Sequence, residues 1–283
     1  FAFVALLAEP YVSRMVQPVK LMGLLVVENE HIKINQDHWN TQALDWVASG
    51  EKAWRSARPY WGNFGIDEGD VNMLPADMTD MTAIELGCGT GYVAAWMARR
   101  GAQVTGVDLS EAQLATAKRL RQEHGLDITF RLENAEHLSD APETYDFAIS
   151  EYGAAIWCAP DKWLAEAFRV LKPDGRLVFM GHHPLSIICT DTSGDTTLRS
   201  LEMPYRDMGR MDWSHHPNDA GGVEFNLTIS DWFACFKRIG FVIEVYIELY
   251  APDDAQGDEF SIPADWAKDF PAEQVWKLRK PEN

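Results

Sequence analysis

From residue 81 onward the apolar positions fall into short runs separated by longer amphipathic stretches. That alternation predicts repeated strand–helix–strand units and a parallel sheet. Strands are predicted over 82–86, 103–107, 128–132, 145–150, 176–180, 241–250 and 274–278. The first predicted helix opens at Tyr92 and stops at Gly101, the residue type that closes a helix in the left-handed conformation. A second runs from Ser110 to Gly125, with Ser110 and Gln113 spaced as a reciprocal capping box. Others are predicted over 161–171 and 230–240, and the Lys172-Pro173-Asp174-Gly175 run between helix and strand carries tight-turn chemistry.

Before the alternation begins, Trp39, Ala43, Trp46 and Val47 stand at helical spacing, and a second helical stretch runs from Glu51 to Pro59. Residues 31–80 are therefore expected to form a helical cap, and 81–283 the main domain. Residues 184–222, with scattered Asp, Ser, Gly, Pro and Met, break the rhythm and read as an insertion over the sheet's edge on the substrate side. Residues 1–30 read as an N-terminal extension or fragment end, with a truncated signal peptide as the lesser reading: Phe1–Ala8 is apolar but has no basic flank before it.

Composition narrows the function classes. Apolar residues make up 46% and charged residues 24% of the 283 positions, the balance of an ordinary folded domain rather than of disorder. The formal net charge is −18, which repels a phosphate backbone. The densest basic positions, Lys118, Arg119 and Arg121, share a predicted helix with Glu111 and Glu123, so they read as a solvated face. Nucleic acid is not the expected substrate. No apolar run approaches the ~20 residues that span a bilayer. Cys88, Cys158, Cys189 and Cys235 are far apart without a C-x-x-C pair, which fits a reducing, cytoplasmic setting and offers no zinc signature.

The chemistry concentrates in Glu85-Leu86-Gly87-Cys88-Gly89-Thr90-Gly91, between a predicted strand and helix, and in Gly106-Val107-Asp108-Leu109-Ser110 at the end of the next strand. Glycines permit a sharp bend and close approach to a ligand. An acidic residue about twenty positions on can accept from ribose hydroxyls. The dinucleotide fingerprint needs a third glycine where this chain has Tyr92, and no P-loop Lys-Ser/Thr follows. An adenosine ligand without a phosphate fits better.

These two runs, the Asn134-Ala135-Glu136 segment, the Y-D-F-A-I-S-E-Y run from Tyr145 and the R-V-L-K-P-D-G-R-L run from Arg169 resemble the successive motifs of class I S-adenosylmethionine (SAM) dependent methyltransferases. They resemble most the small-molecule branch that includes ubiquinone and menaquinone biosynthesis methyltransferases, the type 11 group. The resemblance spans residues 80 to 182 strongly and the C-terminal strand pair more loosely. It implies a Rossmann-like, doubly wound α/β sheet of seven strands, mostly parallel with an antiparallel C-terminal strand. It also implies SAM as the methyl donor and a small molecule as the acceptor.

On this chain the resemblance implies that Gly87, Cys88, Gly89 and Gly91 line the methionine part of SAM, with Glu85 near its amino group. Asp108 would hold the ribose diol and Leu109 would pack on adenine. Asn134 stands where the family carries an acid facing the adenine amino group; its amide oxygen can accept without a charge's assistance. Ala135 and Glu136 would neighbour it, and Ser150, Glu151 and Tyr152 would border cofactor and substrate at a strand's carboxyl end.

Methyl transfer from a sulfonium releases a neutral thioether and needs no general acid, so alignment and exclusion of water dominate. Trp39, Trp54, Tyr60 and Trp61 are candidates for aromatic closure around the cation, although aromatics at helical spacing also fill cores. An acceptor that must lose a proton would need a base. His182 and His183 follow the fifth strand and are the candidates, with a hydrogen-bonded structural pair as the alternative. His215 and His216 have no ligand spacing that would build a metal site with them, and none is expected. A nicotinamide-dependent oxidoreductase and a non-catalytic SAM-binding module are the competing readings.

Overall fold

The alternation from residue 82 closes into a seven-stranded sheet in the computed structural model, which describes residues 29–214 and 221–282. In chain order the strands are β1 (Thr82–Leu86), β2 (Gln103–Asp108), β3 (Ile128–Leu132), β4 (Tyr145–Glu151), β5 (Leu171–His182), β6 (Val242–Leu249) and β7 (Glu273–Arg279). Their order across the sheet is β6-β7-β5-β4-β1-β2-β3. The pairs β1/β2, β1/β4, β2/β3 and β4/β5 are parallel, whereas β7 runs antiparallel to both β5 and β6. The strand order reverses between β1 and β4, the crevice where open α/β sheets bind ligands at the carboxyl ends of their strands.

Side chains one residue apart on a strand point to opposite faces, and the sheet sorts its core accordingly. Ala83, Phe147, Ile149, Val178 and Met180 pack into one buried cluster with Trp54, Trp61 and Trp96. Ile84, Leu86, Ala148, Leu177 and Phe179 pack into another with Trp163, Trp232, Phe236 and Trp276. Both faces are covered, as a parallel sheet requires.

The helices that position the site are α1 (Glu30–Gln42), α2 (Val47–Arg55), α3 (Tyr92–Arg99), α4 (Glu111–His124), α5 (Gly153–Trp157), α6 (Pro160–Val170), α7 (Pro184–Cys189) and α8 (Ile229–Ile239). The described residues from His31 onward form one compact unit. The sequence expectation for residues 1–30 lies, but for Asn29 and Glu30, outside the described residues, as do His215 and His216.

Several local expectations are corrected. The Trp39–Val47 periodicity does not belong to one helix: α1 ends at Gln42, and tight turns from Gln42 to Asp45 and from Leu44 to Val47 separate it from α2, which begins before Glu51 and ends at Arg55. Residues 60–67 form a two-stranded ribbon rather than helix, Tyr60–Trp61 against Ile66–Asp67. The Lys172–Gly175 run lies within β5, as an irregularity between the Tyr145/Leu171 and Phe147/Arg176 pairs. Helix α8 opens at Ile229 rather than Ser230, capped by Thr228, whose side chain accepts from Asp231 N. Residues 184–222 contain α7 and, across the undescribed stretch, the Arg210–Asp212 strand paired with Val223–Phe225.

Candidate active site

The bend between β1 and α3 is tied to the neighbouring strand, because Gly87 N and Cys88 N each donate to Val107 O at 2.9 Å. Gly87, Gly89 and Gly91 all have left-handed φ, at 74°, 49° and 78°. Their surroundings differ. A Cβ on Gly87 would lie 2.6 Å from Ala154 N, and one on Gly91 would lie 2.6 Å from Phe130 Cζ, so those two glycines serve packing. On Gly89 the nearest atom would be Gln113 Oε1 at 4.0 Å. This is the one position of the bend with room beside it for a ligand.

Asp108, the last residue of β2, faces the same bend. Its Oδ2 accepts from Gly89 N at 2.8 Å and its Oδ1 from Ser110 N at 2.7 Å. Burial raises its pKa above the usual carboxylate value, opposed by these backbone N–H groups. An ionised carboxylate offers about four lone-pair sites; the two backbone donors leave capacity for hydroxyl donors. Asp108 also displaces the expected capping box. Ser110 Oγ accepts from Gln113 N at 3.1 Å, but Ser110 N goes to Asp108, and Gln113 Oε1 is buried without a partner.

Buried Glu85 accepts from Ala94 N at 2.7 Å, capping the first turn of α3. Burial drives its pKa well above the usual range, helped by the charges of Glu151 and Asp108. Burial likewise pushes the Cys88 thiol well up, so it stays protonated. Half-buried Leu109 offers its carbonyl to Gln36 Nε2 of α1 at 3.1 Å.

Asn134 turns its Oδ1 onto Glu136 N at 2.9 Å, and Ala135 between them is buried. Glu136 Oε1 lies 2.6 Å from His31 Nε2 and accepts from Ala159 N at 2.7 Å, so this carboxylate joins α1 to the start of α6. Ser150 is fully buried; its hydroxyl donates to Leu86 O at 2.7 Å and accepts from Ala155 N at 3.2 Å. These groups are engaged inside the fold, while Asp108 and Gly89 stand together at the bend.

The carboxyl ends of β4 and β5 meet the first residue of β7. Glu151 accepts from the Tyr92 hydroxyl and from Gly62 N. Tyr152, held at φ 57° at the head of α5, donates its hydroxyl to Glu273. Glu273 Oε1 also accepts from Asn63 N at 3.0 Å and is only 1% exposed. Burial raises the Glu273 pKa to about 7, against the opposing Tyr152 and Asn63 hydrogen bonds. The His182 ring packs edge-on against Tyr152 with centroids 5.0 Å apart, and burial lowers its pKa. His183 is placed differently. It caps α7, its Nδ1 accepting from Leu185 N at 3.1 Å, and its Nε2 lies 3.4 Å from Glu248 Oε1.

Helix α1 lies across this edge. Asn35 donates to Trp157 O and Val223 O, each at 2.9 Å, and accepts from Val223 N at 2.6 Å. Asn40 Oδ1 accepts from Ser110 Oγ at 2.8 Å. Of the aromatics considered for closure, Trp54 and Trp61 are fully buried core residues whose indoles donate to Thr90 O and Glu68 Oε2, which corrects that expectation. Tyr60 packs on Trp96. Only Trp39 joins the outer ring group, against Trp46 and Trp157, with Trp46 stacked on Phe260 at 5.7 Å.

With this geometry in place, comparison with known proteins is decisive for the segment that carries the bend. Residues 84–179 match the family model described as a methyltransferase domain. Over this stretch the chain carries the sequence of a methyltransferase domain. Around this methyltransferase domain the chain is 35% identical over 118 residues to the ubiquinone biosynthesis O-methyltransferase of Pseudomonas entomophila, covering 39% of this chain and 51% of that one. The chain thus spans about half the length of the curated relatives it matches. In structure it is similar to an S-adenosylmethionine dependent methyltransferase from Mesorhizobium loti, with TM-score 0.61 and 23% identity, covering 74% of this chain and 94% of that one. It is also similar to the [4+2]-cyclase SpnF, with TM-score 0.61 and 19% identity, covering 89% and 97% of the two chains. Those two likenesses bear on the fold alone.

Beyond the matched methyltransferase domain, sequence reasoning missed Glu273, Asn63 and the Tyr92 hydroxyl. Tyr92 was visible as a helix start and as the residue that breaks a dinucleotide pattern, not as a hydroxyl donor. Glu273 carried no motif and fell one residue before the last predicted strand, 274–278; the observed strand begins at Glu273 and runs antiparallel, which makes that end a site position. Among the described residues no group of three or more His, Cys, Asp and Glu is placed to hold a metal ion, and no helix is long and apolar enough to cross a membrane.

Proposed function

We propose that this protein transfers a methyl group from SAM to a small-molecule acceptor, leaving S-adenosylhomocysteine. The observation that carries the reading is Asp108 fixed on Gly89 N at the one open position of the glycine bend. A Cβ at that position would occupy the space a ligand needs, and the carboxylate keeps acceptor capacity for a ribose diol. SAM when bound supplies an activated methyl group on a cationic sulfur. The names of the ubiquinone O-methyltransferase relatives support a small acceptor.

The roles of the chain's residues follow from their placement. Gly87, Cys88, Gly89 and Gly91 shape the bend for the methionine part, and buried Glu85 stands behind it for the amino group. Asp108 holds the ribose and Leu109 borders adenine, with Asn134, Ala135, Glu136 and Ser150 keeping the surrounding walls in place. Glu151, Tyr152 and His182 face the acceptor side, where displacement at carbon needs nucleophile, methyl and sulfur in line. The cap helix α1, fixed by His31, Asn35, Gln36 and Asn40, limits access of water. We place the protein in the cytoplasm, where its four buried thiols stay reduced.

Isothermal titration calorimetry with SAM and S-adenosylhomocysteine tests the first half of this reading, and conversion of SAM to S-adenosylhomocysteine with an acceptor tests the second. A folded sample giving no heat with either ligand refutes it.

A further inference from the structure

At the acceptor side of the sheet, the buried Tyr152–Glu273 pair stands where β7 begins. Glu273 is nearly inaccessible, yet it is bonded to the Tyr152 hydroxyl and to a backbone N–H rather than to a cation. Among the described residues no Lys or Arg is paired with Glu85, Asp108, Glu151 or Glu273. A buried carboxylate without a countercharge is costly unless something completes its environment.

Two further side-chain atoms beside the pair point to what is missing. His182 Nδ1, on the ring packed against Tyr152, is sealed from solvent without a hydrogen-bond partner. Asn63 Nδ2 is equally sealed and unpartnered, on the residue whose backbone donates to Glu273. Buried polar groups in native proteins are nearly always satisfied. Two such atoms beside one Tyr–Glu pair are what a polar ligand group would satisfy. Its surroundings set the ligand's charge: Glu151 from β4 and Glu224 from the Val223–Phe225 strand lie near Tyr152 and add negative potential. An anionic acceptor would be repelled here, and a cation drawn in.

Resting on the methyltransferase reading above, we infer that the acceptor is a small amine bound as its ammonium ion against Glu273 and Tyr152, and that Glu273 takes the proton the nitrogen must lose. In the step so defined the ammonium N–H bond breaks and its proton passes to the Glu273 carboxylate. The freed nitrogen lone pair forms the new N–CH3 bond as the C–S bond breaks, its electron pair remaining on sulfur as a neutral thioether. The product leaves as the methylated ammonium ion, and the Glu273 proton returns to solvent. Charge and atoms balance without any further reactant. His182 Nδ1, neutral because burial lowers its pKa, can accept a second ammonium N–H.

The test uses the intact chain loaded with S-adenosylhomocysteine and two probes of one shape, benzylamine and benzyl alcohol, titrated by calorimetry at millimolar concentrations. Benzylamine is expected to bind at least about tenfold more tightly than the alcohol, a difference of ~1.4 kcal/mol. The preference should vanish in Glu273→Gln and persist, weakened, in Tyr152→Phe, which keeps the carboxylate. Equal binding of the two probes, tighter binding of the alcohol, or no binding of benzylamine overturns the inference. The heat of S-adenosylhomocysteine binding, recorded first on each sample, is expected to persist in Glu273→Gln; its absence in the wild type would instead sink the donor reading.

Discussion

The imidazole Nε2 of His31 lies 2.6 Å from Glu136 Oε1, with both side chains nearly sealed from solvent. This pair joins the first described helix to a loop that the sequence motifs assign to the adenine side. Because Glu136 Oε1 also accepts from Ala159 N, removing it leaves two buried donors unmatched. Glu136→Ala is expected to destabilise the fold by about 2 to 4 kcal/mol. Thermal unfolding checks this; a variant with wild-type Tm would show that the clamp contributes nothing.

Asp108→Ala should weaken S-adenosylhomocysteine binding by about 1.5 to 3 kcal/mol, the range for hydrogen bonds to a charged group. Calorimetry on the folded variant measures it. An unchanged affinity removes Asp108 from the site.

The three bend glycines should separate by phenotype. Gly87→Ala and Gly91→Ala place a methyl group 2.6 Å from Ala154 N and Phe130 Cζ respectively, and both are expected to lower Tm strongly. Gly89→Ala meets nothing nearer than 4.0 Å, so it should bear only the left-handed backbone penalty of roughly 1 to 2 kcal/mol while losing cofactor affinity. Parallel melting and binding curves decide; equal destabilisation in all three would contradict the assignment.

Stability should also carry the signature of Glu273. Its pKa rises from 4.5 to about 7 on folding. Below 4.5 both states are protonated and the stabilisation is fully present; as pH climbs to about 7 the unfolded chain ionises first, and stability falls. Glu273→Gln, which has no such titration, should flatten that decline between pH 4.5 and 7. Urea unfolding across that window checks it, and parallel wild-type and variant slopes would exclude the shift.

What could be seen in the chain beforehand follows the range of the interactions. The β1 strand, the glycine bend and Asp108 are encoded within about thirty residues by backbone sterics and strand-end chemistry, and they appear where expected. The Ser110–Gln113 spacing misled in part because a carboxylate two residues away, Asp108, competes for Ser110 N. The acceptor side was illegible for a different reason. Tyr152 meets Glu273 across 121 positions, Asn63 meets it across 210, and Asn35 meets Val223 across 188. No local periodicity records such pairings. The ribbon at 60–67 lies inside the expected cap, and strands of two residues are too short to leave a periodicity in the sequence.

Strand β7 enters the sheet head-first against its neighbours, which is why its opening residue stands where the others finish. During synthesis the donor-side elements, from the glycine bend to Asp108, leave the ribosome well ahead of Glu273. A nascent polypeptide that already carries the glycine bend and Asp108 therefore still lacks Glu273. Entry of the last strand into the sheet and delivery of Glu273 to Tyr152 become one event.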